Sequence, residues 1–195
     1  MIKKQTNTQK GFTLIELLIV IAIFTLITSI IMANYKKFGS QMALRNTTYD
    51  MALTVREAQV YGISGRFQDK DDFSPKPIII MFDKNAQTDG NSLTHTFIMF
   101  RDVNGDNRQT NINENIANFD LKNGFVIDDI IAEPGNVSLP KVSIKFQRPE
   151  PDATIYDDSG QQYSAVRIIV KSVRNKKMSV YVESAGQISV QKVNQ

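Results

Sequence analysis

The chain has 195 residues, with 23 Lys and Arg against 20 Asp and Glu, for a formal net charge of +3. Lys3, Lys4 and Lys10 carry all of that excess, because residues 1–11 hold no acid and the remainder is balanced. A basic terminal patch on a neutral body points to neither an acidic tail nor a nucleic-acid binder. The absence of cysteine excludes disulfides, thiolate zinc sites and a cysteine nucleophile, and leaves His95 as the single imidazole.

Residues 12–33 form an apolar run with one charge, Glu16, and four hydroxyls, Thr13, Thr25, Thr28 and Ser29. As a helix this run is roughly 33 Å long, enough to cross a hydrocarbon core of about 30 Å. The lysines in front of it place the N-terminus in the cytoplasm and the polar remainder on the far side. A cleavable secretory signal has a shorter apolar core and a small-residue cleavage site, which Ser29 to Asn34 does not offer. A lipoprotein signal needs a cysteine. A plain anchor fits the length but leaves Glu16 unexplained, since a carboxylate inside a membrane segment demands a partner.

The stretch Lys10-Gly11-Phe12-Thr13-Leu14-Ile15-Glu16 resembles the processing site of type IV pilins and type II secretion pseudopilins. The resemblance implies that a prepilin peptidase cuts between Gly11 and Phe12 and that Phe12 becomes the N-methylated terminus. It also implies that Glu16 of an incoming subunit neutralises the Phe12 amine of a subunit already in the filament. Implied partners are other pilin or pseudopilin subunits, the prepilin peptidase, the inner-membrane assembly platform and membrane lipid. The implied location is the bacterial inner membrane, followed by an extracytoplasmic pilus or pseudopilus. Major pilins usually carry a proline, and often an earlier glycine, where this chain has Ala33 and Thr25. With no helix breaker from Phe12 to Phe38, the sequence favours a minor subunit, or a lineage that manages without the break.

Residues 34–62 continue the helix with two apolar stripes. Tyr35, Phe38, Met42, Tyr49, Leu53 and Val60 make the stronger one; Leu44, Met51 and Val55 make a weaker one on the opposite side. Such a helix suits packing on a sheet while also facing a filament core. Gly62 and Gly65 supply the stop. The expected helix covers about 50 residues, roughly 75 Å, which reads as a spine protruding from a head.

Residues 63–195 change period. Eight short strands are expected: Ile78–Phe82, Thr94–Phe100, Ile116–Leu121, Phe125–Ile131, Val142–Phe146, Ala165–Val173, Met178–Val182 and Ile188–Val190. Asn104-Gly105 reads as a hairpin turn, Asn123-Gly124 as another, and Arg148 to Asp152 as a rigid loop. The fold class is α+β and pilin-like: a basic leader at 1–11, a long N-terminal α-helix, and an antiparallel β-sheet head packed on its amphipathic half. More narrowly, Phe97 to Asp106, continuing to Asn113-Glu114, resembles the H-type minor pseudopilin domain, as does Ala185-Gly186-Gln187-Ile188.

Other candidate sites have competing readings. Asp102, Asn104 and Asp106 have the alternating oxygen spacing of a calcium loop, but the sixth and twelfth positions are Asn107 and Asn113, not glycine and glutamate. A structural turn and a calcium site both stay open. Lys171, Arg174, Lys176 and Lys177 at a hairpin tip are the dense basic cluster outside the leader. With Tyr181 as their one nearby aromatic, they disfavour DNA and fit a solvated turn. Gly62-Ile63-Ser64-Gly65 is one residue too short for a nucleophile elbow. The chain reads as no enzyme but as the substrate of one. A major pilus subunit, and an anchored DNA- or calcium-binding protein that never polymerises, are the alternatives.

Overall fold

The structure, a computed structural model, describes residues 11–65, 76–86, 96–110 and 112–193. It comprises two compact units, residues 1–40 and residues 41–195. One α-helix, α1 (Leu14–Ser64), begins in the first unit and ends in the second.

In the first unit every large apolar side chain from Leu14 to Met32 is more than half exposed, on all sides of the helix. The hydroxyls within this stretch bond back to the helix itself. Thr25 Oγ1 donates to the Ile21 carbonyl at 2.9 Å, Thr28 Oγ1 to Phe24 at 2.7 Å and Ser29 Oγ to Thr25 at 2.8 Å. Hydroxyls satisfied internally in this way lower the cost of covering the helix with hydrocarbon. Leu14–Met32 is long and apolar enough to cross a membrane.

In the second unit the helix buries Leu44, Thr48, Met51, Val55, Ala58 and Gln59, a stripe at helical spacing. This is the weaker of the two stripes in the sequence. Met42, Tyr49, Leu53 and Val60 of the stronger one are 42–65% exposed. Size alone misleads here, because the buried face must approach a sheet closely and so uses smaller residues. Gly62 shows the same constraint. It lies inside α1 and does not stop it: a Cβ there would come within 2.6 Å of the Phe146 carbonyl oxygen. The stop is Gly65, at φ +64°, whose N–H bonds the Tyr61 carbonyl at 3.1 Å.

Eleven strands follow among the described residues. They are β1 (Ile78–Asp83), β2 (Phe97–Arg101), β3 (Asn115–Phe119), β4 (Val126–Glu133), β5 (Val137–Ser138) and β6 (Lys141–Phe146). Then come β7 (Ala153–Tyr156), β8 (Gln162–Tyr163), β9 (Ala165–Lys171), β10 (Lys177–Glu183) and β11 (Ile188–Lys192). They form two sheets, not one: a six-stranded sheet β3-β2-β1-β6-β7-β8 and a five-stranded sheet β11-β10-β9-β4-β5, antiparallel throughout. Strands β5, β7 and β8 escape the sequence reading because they are two to four residues long and are made by their partners.

One core joins both sheets to the helix. Ile78, Ile80 and Phe82 of β1, Ile144 and Phe146 of β6, and Val166, Ile168 and Val170 of β9 pack with Met51, Val55 and Ala58. Phe97 stacks between Phe82 and Phe119, at 5.2 and 4.8 Å between ring centroids. Ile79, Ile98 and Phe100 form a second, smaller cluster on the other face of the six-stranded sheet. Strand β1 is thus buried on both faces, as its continuous Ile-Ile-Ile-Met-Phe run requires.

Buried Gln59 ties the helix to two loops. Its Nε2 donates to the Pro151 carbonyl at 2.6 Å and to the Gly186 carbonyl at 3.1 Å. Gly186, at φ +80°, has no room for a side chain against Pro151 and Gln59.

Candidate processing and assembly site

Gly11, Phe12 and Thr13 are non-helical, and α1 starts at Leu14, two residues later than the apolar run. Phe12 is 86% exposed. The reason for the late start is a capping box. Thr13 N–H donates to Glu16 Oε2 at 2.9 Å, and Thr13 Oγ1 donates to the same oxygen at 2.8 Å. In return the Glu16 N–H donates to Thr13 Oγ1 at 3.3 Å. A helix N-terminus leaves its first N–H groups without intrahelical partners, and a carboxylate there also meets the positive end of the helix dipole. Glu16 therefore has local partners in the chain as it stands, in the N–H and hydroxyl of Thr13. The T-x-x-E spacing was the available signal. Both of Thr13's donations fall on Oε2.

Residues 102–110 form a loop, and a 3-10 turn lies at Ile112–Glu114, in place of the two-residue Asn-Gly hairpin expected at Asn104-Gly105. The acids here serve the backbone. Buried Asp102 accepts from Gly105 N–H at 2.8 Å on Oδ1 and from Asn107 N–H at 3.1 Å on Oδ2. Asp106 Oδ1 accepts from Arg108 N–H at 2.8 Å, and Oδ2 from Asn104 Nδ2 at 2.9 Å. The Arg108 amide chiefly holds the Asp106 carboxyl below its ordinary value. Buried Glu114 accepts from Thr110 N–H at 2.9 Å. The loop is fastened to the sheet by Lys145 Nζ, 3.0 Å from Asn107 Oδ1, and by Tyr156 Oη, which donates to the Asn107 carbonyl at 3.2 Å. Burial pushes the Tyr156 hydroxyl up to about 12. Among the described residues no group of three or more His, Asp or Glu is arranged to hold a metal ion. A genuine Asn-Gly turn is Asn123-Gly124, with φ +61° and +70°.

The basic cluster divides. Lys171 and Lys177 face each other across the β9–β10 pair, and both bind Asp128, Lys177 at 2.6 Å. Asp128 is aimed there by a bulge, where the β4–β9 register shifts between Ile127 and Asp129. Burial raises the Asp128 carboxyl, but the hydrogen bonds from Lys171 and Lys177 outweigh it and leave it below its ordinary value. Arg174 and Lys176 remain exposed in the turn. His95 lies outside the described residues.

Residues 6–32 match the family model described as the prokaryotic N-terminal methylation motif. The match covers Gly11, Phe12, Thr13 and Glu16 and most of the exposed apolar helix. It supports a type IV pilin-like precursor, a structural class whose members are processed by prepilin peptidase and assemble with other subunits. No curated protein and no solved structure matches the chain.

Proposed function

We propose that the chain is the precursor of a minor pilin or pseudopilin. It inserts in the cytoplasmic membrane with its N-terminus inside, is cut between Gly11 and Phe12, is methylated on Phe12, and assembles through α1. It is the substrate of an enzyme and not itself one. The observation that carries this reading is the helix surface from Leu14 to Met32. It is exposed on every side and lies within the stretch that matches the methylation motif. A contiguous apolar surface of this size has to be covered, first by lipid and then by neighbouring subunits. The exposed stripe Met42, Tyr49, Leu53 and Val60 supports the same use further along the helix. Glu16 then meets the Phe12 ammonium of a neighbouring subunit.

The absence of proline and glycine from Phe12 to Phe38 supports the minor over the major role. The H-type affinity rests on the Phe97 to Glu114 and Ala185 to Ile188 stretches. The acid loop acts as a structural turn in this reading, and Lys171 and Lys177 as partners of Asp128 more than as a phosphate grip.

Co-expression with a prepilin peptidase tests the proposal. The chain should shorten by the eleven residues of the leader, and Gly11→Ala should largely abolish this. A full-length chain persisting beside an active peptidase would overturn it. Trace abundance in sheared filaments supports the minor role; dominance there replaces it with the major one.

A further inference from the structure

The start of α1 is set by Thr13, two positions after Gly11. Its carbonyl accepts the first helical bond, from the Leu17 N–H at 3.2 Å, while its own backbone is not helical. Its hydroxyl and N–H are both committed to Glu16, as described above. Without this cap the sequence has little cause to stop winding at Leu14. In a membrane each unpaired N–H is expensive. An uncapped chain lowers that cost by winding back, so that the Ile15 and Glu16 N–H groups bond the Gly11 and Phe12 carbonyls. The unpaired groups then move out toward water. Winding back also draws Gly11–Phe12 into the helix, where its carbonyls are engaged and the backbone is closed to a peptidase.

We propose that Thr13 is a positioning residue for processing. The capping box that it makes with Glu16 halts α1 and keeps the Gly11–Phe12 peptide bond outside the helix, open to hydrolysis. One water is consumed as the C–N bond breaks, leaving a carboxylate on Gly11 and an amine on Phe12. Two independent observations meet here: the hydrogen bonds that end the helix, and the motif match spanning the same residues. The proposal rests on the processing reading given above, but it can fail separately.

The test uses the full-length chain in detergent micelles with a prepilin peptidase. Initial rates are compared for the wild type, Thr13→Ala, Thr13→Ser and Glu16→Gln. Alanine cannot cap and favours helix, so its rate should fall about five- to tenfold. Serine caps as well as threonine, and glutamine completes a capping box, so both should stay within about twofold. The carbon-13 shifts of Gly11 and Phe12 should move toward helical values in Thr13→Ala alone. Wild-type rates for Thr13→Ala, a slowed Thr13→Ala with unchanged shifts, or equal slowing in Thr13→Ser each overturn the proposal while leaving processing intact. A wild-type chain that is never cut removes the processing reading and this proposal with it.

Discussion

A carboxylate at mid-depth in a membrane helix costs about 2–3 kcal/mol when nothing meets it. Glu16 lowers that cost by sitting in the first turn and capping through Oε2. Capping needs only an acceptor oxygen, whereas pairing with an ammonium needs the charge. Glu16→Gln separates the two. The variant should be processed at close to the normal rate yet be strongly depleted from filaments, as measured by mass of the mature chain and subunit content after shearing. Normal incorporation would sink the charge-pairing argument. The T-x-x-E pattern was legible without any structure. A lone acid in an apolar run calls for a partner, and the nearest ones are the hydroxyl and N–H of Thr13.

At the scale of elements, α1 beyond Gln41 divides sharply between neighbours in sequence. Met51 is 1% exposed and Leu53 is 65% exposed. Met51→Ala should destabilise the protein by about 2–5 kcal/mol, read as a lowered urea midpoint of the full chain in detergent. Leu53→Asp should leave that midpoint within about 0.5 kcal/mol and reduce assembly instead. Equal midpoints for the two variants would contradict the assignment of faces. Periodicity located both stripes, but it could not say which one the sheets would take. That depends on how closely backbones approach, as Gly62 against Phe146 shows. The loop from Asp102 makes a complementary point. Its acids already hold the amides of Gly105, Asn107, Arg108 and Thr110, so EDTA should leave the thermal midpoint unchanged. A midpoint that falls with EDTA and recovers with calcium would establish a metal site there.

Across the whole molecule, the ordering of charge is a tertiary property. Asp128 has its folded carboxyl held below the unfolded value, so its stabilisation is present above about pH 4 and is lost as pH falls through the folded value. Asp128→Asn should therefore lower stability by about 1 kcal/mol at pH 7, with wild type and variant converging at an acid pH below the folded value. Urea midpoints at the two pH values check this, and a gap that persists in acid would refute it. Lys171 and Lys177 look like half of a basic patch until the bulge in β4 turns Asp128 toward them.

The amino-acid sequence by itself determined the membrane-length helix, the stretch that matches the methylation motif and the α+β class. Each of these depends on local composition or on periodicity that survives in an isolated segment. The tertiary structure decided that the β region is two sheets over one core, that the weaker helix stripe is the buried one, and that the acids and lysines largely serve their own fold. Those outcomes follow from pairings between residues far apart in the chain. Ile127 to Val170 is one, and Gln59 to Gly186 is another. Local pattern carries no information about such distances. The initial +3 is likewise confined to residues 1–11, and the rest of the chain is neutral.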